Sequence, residues 1–380
     1  MVSQDNLKIG ISLSGGGVRA AAFHLGILAR LSDEKLLEKI RMLSTVSGGS
    51  LVTGLIYKSN NYKWPTSEEF QGKSIPLVKY NLTHKNLQLR TFLRILSWPF
   101  SLITAGRAGI VSKSLQSVWG IRAKLNDIES WPRWNITATA IESGKSWRFI
   151  PQERMGDYVL NHVEKPAIDL SDALCSSAAV PFLIGPYTIK TSKFVWYKYQ
   201  SAKDKVAVSP PFKKIHIWDG GAYDNLGVEP LAKFNDGIQY RKEINFLIVS
   251  DAAQEIVTAK RQWYNPMRLI DVTMDQVRAI RSRVLFDHFK SHNNAGVYFK
   301  IGETVESIKT DSKTNFQGTI SQVGLTPTQI ADLKDYPTNL WKMEEKDFAG
   351  LFRHGWEVAN ATLVLQCPEM FQNKEYRHMV

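Results

Sequence analysis

Two hydrophobic periods take turns along the first sixty residues. KIGISLS, Lys8 to Ser14, is a short apolar run of strand character that leads straight into three glycines, and VRAAAFHLGILARL, Val18 to Leu31, then spaces its apolar residues as a helix does. The arrangement recurs. IRMLSTV, Ile40 to Val46, reads as a strand, SGGS as a sharp turn, and LVTGLIYK, Leu51 to Lys58, as the opening of a helix. Two strand–loop–helix units this close together predict an α/β fold with a parallel sheet joined by crossover helices.

Downstream, NITATAI, ESGKS and WRFIP predict a strand pair around a turn at the edge of the same sheet, Asn135 to Pro151. KKIHIWDGG and INFLIVSDA add two strands, separated by a glycine-containing loop and by VEPLAKF, Val228 to Phe234, which reads as a helix. Side chains that do chemistry on such a sheet gather at the carboxyl ends of its strands. From about Thr258 the pattern is mainly helical, clearest in VTMDQVRAIRSRVLFDHFK, and it closes on a strand-like GVYFKIG and a mixed C-terminal segment. No linker rich in Pro, Gly or Ser precedes that segment, so it is expected to pack on the same domain, and no solenoid-length repeat occurs.

With 380 residues, 43% hydrophobic and 22% charged, the chain can bury a large core and has no disordered composition. The formal charge of +12 attracts polyanions, either anionic lipid headgroups or nucleic acid. Zinc-finger spacing, an RNA-binding aromatic signature and a long basic run are all missing, which argues against nucleic acid as partner. Cys175 and Cys367 form no CxxC or metal-like spacing, so a reducing compartment and no disulfide are expected. MVSQDNLKIG has neither the basic nor the apolar region of a secretory signal, which predicts a cytoplasmic location and makes the Asn-x-Ser/Thr matches at Asn81, Asn135 and Asn360 incidental. No run of about 18 apolar residues occurs, so membrane contact would be peripheral. LQLRTFLRILSWPFSLITAGR, Leu87 to Arg107, mixes Leu, Ile, Phe and Trp with three arginines, as a membrane-surface or lid element would; a buried helix covering the core is the competing reading.

Three local patterns carry chemistry. Gly15, Gly16 and Gly17 sit between strand and helix, where outward N–H groups and a positive helix end suit an anion, whether a phosphate or the oxyanion of acyl transfer. The loop fits neither GxxxxGK[ST] nor GxGxxG, and a structural turn accounts for it equally well. Ser47 in TVSGGS has the strand-to-helix context of a nucleophile elbow, with Gly48 and Gly49 after it and Thr45 where GxSxG has glycine; Ser44 and Ser50 stay open as alternatives. Asp219 ends the IHIW strand ahead of GGAYDNLG, a position that also suits a turn or helix cap. Among histidines that could complete a Ser-His-Asp set, strand alternation turns His216 away from Asp219, His24 falls inside the first helix, and His288 with His292 share a helical face without metal-site context.

Together, SGGGVRA, TVSGGS and DGGAYDN resemble the oxyanion loop, nucleophile elbow and catalytic-aspartate motif of the patatin-like phospholipases, and ALCSSAAVPFLIGP, Ala173 to Pro186, is similar to that family's small-residue segment. The resemblance covers roughly residues 8 to 230. It implies a three-layer α/β/α fold with a mostly parallel central sheet, a catalytic domain over 5–305, and residues 306–380 packed upon it. By the same resemblance Ser47 is the nucleophile, Asp219 the base, Gly15 to Gly17 the oxyanion donors and Arg19 a positioner of that loop. Membrane phospholipids or other lipid esters are the implied substrate, with no metal and no cofactor. A soluble esterase or thioesterase with the same pair, a silent lipid- or partner-binding module, and a nucleotide-binding protein are the competing functions.

Overall fold

The computed structural model describes residues 4–97, 106–201, 204–256, 266–311 and 324–380. Both early strand–loop–helix units form: β1 (Ile9–Leu13) feeds helix α1 (Gly17–Ser32), and β2 (Ile40–Thr45) feeds α2 (Gly48–Ser59). With β3 (Arg133–Ala140), β13 (Phe246–Asp251) and β14 (Gly296–Lys300) they make a parallel block in the order β14-β13-β1-β2-β3. Beyond β3 the sheet continues antiparallel through β4 (Lys145–Ile150), β5 (Arg154–Asp157), β6 (Asn161–Glu164), β8 (Trp196–Tyr199) and β9 (Lys205–Val208).

Side-chain alternation divides the core in two. Phe246 and Ile248 of β13 join the large cluster built with α1, α2 and the helix Glu345–Gln366, whereas Leu247 and Val249 point into a second cluster with Leu226, Leu231 and Leu285 of the helix Pro266–Ser291. A sheet with both faces so covered is a three-layer α/β/α sandwich. Helix α1 is buried at every position, and it crosses Glu345–Gln366 at glycine on both sides: a Cβ on Gly26 would lie 1.8 Å from the Phe352 carbonyl oxygen, and one on Gly355 2.1 Å from that of Phe23.

Two strands of opposite direction share one edge of β3. Strand β2 pairs in parallel with the first half of β3, ending with Thr45 opposite Ile136. Strand β10 (Lys214–Asp219), which also pairs with β7 (Tyr187–Lys190), runs in from the other direction along that edge and ends with Asp219 opposite Ala138. The two strand ends therefore face each other with Thr137 between their partners.

The segment Val228 to Phe234 departs from its helical reading. Val228 to Leu231 make a turn, closed by the Leu231 N–H on the Val228 carbonyl at 2.8 Å, and β11 (Ala232–Phe234) pairs with β12 (Ile238–Tyr240). Pro230 offers no N–H to a helix, and burial of Leu231 and Ala232 beneath an exposed Lys233 favours the strand. Of the stretch 87–107, residues Leu87–Ser97 are helical, a further helix runs Gly106–Val118, and 98–105 lie outside the described residues.

Candidate active site

Ser47 is the last residue before α2 and has φ 49° and ψ −115°, a backbone conformation that costs a side-chain-bearing residue about 1–3 kcal/mol. Close packing holds it there. A Cβ on Gly48 would sit 2.3 Å from the Gly17 carbonyl oxygen, and one on Gly49 2.4 Å from that of Leu13, so only glycine lets the start of α2 press against β1 and the start of α1. Two helix N-termini, each with its partial positive charge, thereby meet beside Ser47.

Hydroxyl groups brace the turn from below. The Ser47 N–H donates to Ser177 Oγ at 3.0 Å, Ser177 Oγ donates to the Thr137 carbonyl at 2.7 Å, and Ser50 Oγ lies 2.8 Å from both Ser177 Oγ and Thr45 Oγ1. Trp134 Nε1 donates to Thr45 Oγ1 at 2.9 Å. Thr45, where the elbow pattern has glycine, is thus a member of a buried network rather than a misfit. Ser50 is fully buried within that network, and Ser44, also fully buried, abuts Gly227 on another side; of the three serines only Ser47 lines a cleft.

The converging strands deliver Asp219 to the same place. Its N–H donates to the Ala179 carbonyl at 2.9 Å and its own carbonyl accepts from Thr139 Oγ1 at 2.9 Å, which fixes the strand end. The carboxyl accepts the Gly221 N–H at 2.7 Å, and the Ser47 hydroxyl beside it favours its ionised form. Burial raises its pKa from 3.8 to about 6, against the lowering effect of the Gly221 N–H and the Ser47 hydroxyl.

The glycine loop closes the third side. Gly15 abuts Ser47, since a Cβ there would lie 3.2 Å from the Ser47 Cβ, and its N–H donates to the Asn225 carbonyl at 3.3 Å. The N–H groups of Gly16 and Gly17 meet no acceptor among the described residues' hydrogen bonds. Their φ angles of 142° and 62° belong to glycine, and a Cβ on either would strike a carbonyl oxygen, that of Ala252 at 2.8 Å or that of Asn339 at 2.4 Å. Arg19 is fully buried and donates to the carbonyls of Tyr336, at 2.7 Å, and Ala252, at 3.0 Å. It ties the loop after β13 and the chain near residue 336 around the glycines. Burial lowers its pKa to about 10, with Asp251 and Asp335 acting in the opposite sense, so it stays charged.

Ser47, Asp219, Gly15 and Gly16 line a cleft of about 410 Å³. Val180, Pro181, Ile256, Ile270 and Met274 give it apolar wall, and Asn225, Gln254, Arg268, Asp271, Asp275 and Thr338 add polar groups. The histidines stay outside. His24 bridges two strand ends, 2.6 Å from Ser250 Oγ and 3.0 Å from the Ser14 carbonyl, and burial depresses its pKa to about 4. His216 binds Glu142 at 2.6 Å, and His288 stacks on His292 at 4.4 Å between ring centroids. Sequence reasoning singles out neither Ser177 nor Asn225 individually, although both lie inside the quoted motifs; Asn339 gives no signal at all.

Both the sequence and the fold have relatives among known proteins. The patatin-like phospholipase family model matches residues 11–232. A patatin-like phospholipase domain-containing protein of Aspergillus clavatus is 23% identical over 244 residues, 63% of this chain and 29% of that protein. In fold, human GIVD cytosolic phospholipase A2 is similar with a TM-score of 0.57 at 13% identity, over 95% of this chain and 62% of that one. The same human protein in complex with a methyl gamma-linolenyl fluorophosphonate inhibitor and terbium chloride gives 0.52 at 12% identity, over 93% and 57%. The chain thus spans under a third of the curated relative's length and about three fifths of the human protein's.

Proposed function

The chain belongs to the patatin-like phospholipase family, and on that premise we propose that it is a lipid acyl hydrolase that cleaves carboxylic esters of membrane lipids through a Ser47 acyl-enzyme. The observation that carries the reading is the convergence of Ser47, held at its strained turn, and the buried Asp219 carboxyl on the wall of one cleft with apolar lining. Ionised Asp219 takes the hydroxyl proton as Oγ bonds to the ester carbonyl carbon. The negative charge that gathers on the carbonyl oxygen faces the N–H groups of Gly16 and Gly17, at the joint N-terminal ends of α1 and α2. Collapse breaks the bond to the alcohol, which leaves with the proton held by Asp219. Water then attacks the acyl-enzyme and gives a proton to the same carboxylate; the Oγ–acyl bond breaks as Asp219 returns that proton to Ser47 Oγ, and the fatty acid is released. Asp219 serves as base without a histidine between, and its raised pKa keeps it basic enough to act while ionised near neutral pH.

Two measurements test this. A long-chain fluorophosphonate, whose phosphorus bonds an activated serine oxygen with loss of fluoride, should mark the Ser47 peptide in a mass-spectrometric digest. Fatty acid release from phosphatidylcholine vesicles should stop in Ser47→Ala and in Asp219→Asn. Labelling at Ser50 or Ser177, or release that survives both substitutions, would overturn the assignment; turnover of short soluble esters alone would replace a lipid substrate by a small one.

A further inference from the structure

The helix Leu87–Ser97 buries only Leu87. Leu89, Phe92, Leu93 and Leu96 stand at i, i+3, i+4 and i+7, one stripe of the helix, and are 40%, 59%, 44% and 70% exposed. Single exposed leucines are ordinary, but a whole stripe turned outward beside Arg90 and Arg94 is the pattern of a helix lying in a membrane interface. The start of this helix is tied to a segment that lines the cleft. Gln88 donates its N–H to the Leu340 carbonyl at 3.2 Å and accepts the Leu340 N–H on its side-chain oxygen at 2.9 Å, and Thr338, two residues earlier, lines the cleft.

A second exposed pair comes from another part of the chain. Val180 and Pro181 line the cleft, and the next two residues, Phe182 and Leu183, are 58% and 63% exposed, with Phe182 at φ 62°. Charge supplies an independent observation. Between Phe70 and Asn126 the sequence holds nine lysines and arginines and no acidic residue, so 9 of the net 12 positive charges fall in this one stretch, the one that carries the helix. Lys73 and Lys79 pair with Glu69 and Glu345 outside it; the helix's own Arg90 and Arg94 form no ion pair among the described residues.

We propose that the outward stripe of the 87–97 helix, together with Phe182 and Leu183, docks the cleft mouth onto an anionic lipid bilayer. The apolar side chains enter the headgroup boundary, the basic stretch supplies the long-range attraction, and a lipid ester passes to Ser47 without crossing bulk water. The apolar stripe is what favours a bilayer over nucleic acid, which would engage the charge and leave the leucines in water. The role of the docked surface rests on the lipid hydrolase reading, but docking itself can be read without turnover.

The test is co-sedimentation of the full chain carrying Ser47→Ala with phosphatidylcholine vesicles containing about 30% phosphatidylserine, an anionic leaflet of the kind that attracts basic segments. Binding should be clear there and weak on pure phosphatidylcholine. Phe92→Glu with Leu96→Glu, and separately Phe182→Glu with Leu183→Glu, should each weaken it by about tenfold or more. Placed in the chain with Ser47 intact, both pairs should leave hydrolysis of a short soluble ester and the unfolding temperature unchanged, which separates lost docking from a damaged site or fold. Equal binding by all variants, absence of vesicle binding, or binding of an RNA duplex in preference to vesicles would overturn the proposal. Vesicle binding without any ester hydrolysis would remove the catalytic reading and leave the docking surface standing.

Discussion

The backbone N–H of Ser47 donates to the hydroxyl of Ser177, 130 positions further along the chain, and that hydroxyl in turn donates to the carbonyl of Thr137. A strained turn is thus hung from a helix end and from the strand that both converging partners share. Ser177→Ala strips the acceptor from one buried group and the donor from another, which should lower stability by about 1–3 kcal/mol. Relaxation of Ser47 from its position should reduce kcat by about a hundredfold, with KM for a short ester little changed. Denaturant unfolding and steady-state kinetics on the same preparation check both.

As the proposed base, Asp219 should impose an acid limb near pH 6 on kcat/KM, since it would have to be ionised in the free protein and burial has raised its pKa to about that value. The stability effect has the opposite slope to the usual carboxylate. With a folded pKa of about 6 against 3.8, the folded protein holds the proton over a range where the unfolded chain has released it, so stability falls as pH rises from 3.8 to 6 and stays lower above. Asp219→Asn should therefore be inactive yet more stable than the parent at pH 8, by up to about 3 kcal/mol, with the difference closing towards pH 3.8.

Thr45→Gly restores the residue that the elbow pattern has two places before its serine, and the expected result is harm. The change removes Thr45 Oγ1 from Trp134 Nε1 and Ser50 and leaves the buried indole N–H without an acceptor. A loss of about 1–3 kcal/mol in unfolding free energy, with activity reduced or equal, is expected. A gain in both would show that the network is dispensable.

Gly16→Ala brings a Cβ to 2.8 Å from the Ala252 carbonyl oxygen at a φ of 142°. The loop must shift away from the proposed site of the carbonyl charge, so kcat should fall by about 10²–10³-fold while KM moves far less. Gly144→Ala, also at positive φ but with open space around the added Cβ, is the control for backbone strain alone and should leave kcat unchanged.

His24 works on stability in the contrary sense to Asp219. Its folded pKa of about 4 lies below the ordinary 6.5, so its contribution is complete above pH 6.5 and drains away as pH falls towards 4. His24→Leu should be less stable than the parent at pH 7, having lost its links to Ser250 and Ser14, and the two unfolding curves should converge on acidification.

The parallel block is legible because Lys8 to Leu31 and Ile40 to Lys58 state their periods locally, glycine turn included. VEPLAKF misleads since Val228, Leu231 and Phe234 fall at helical spacing by coincidence, while Pro230 and the pairing of β11 with β12 decide otherwise. The meeting of β2 and β10 on one edge of β3 is beyond any local signal: it joins residues some eighty to ninety positions apart through ladder bonds. The same holds for the supports of the glycine loop. Ser47 and Asp219 stand in motifs that can be recognised by eye, whereas Asn339 and Tyr336 act through backbone carbonyls, for which almost any side chain would serve.

Those carbonyls bear on how such a site could be moved. The stretch that carries the recognisable motifs stops at residue 232, yet Ser250, Ala252, Tyr336 and Asn339 hold the loop from which Gly16 and Gly17 present their amides, and the helix Glu345–Gln366 covers α1 along its length. Grafting residues 11–232 alone onto another scaffold would carry the proposed reacting groups and leave their moulding behind. The portable part is nearly the whole chain, and an insertion between residues 336 and 340 would injure the site as surely as one beside Ser47.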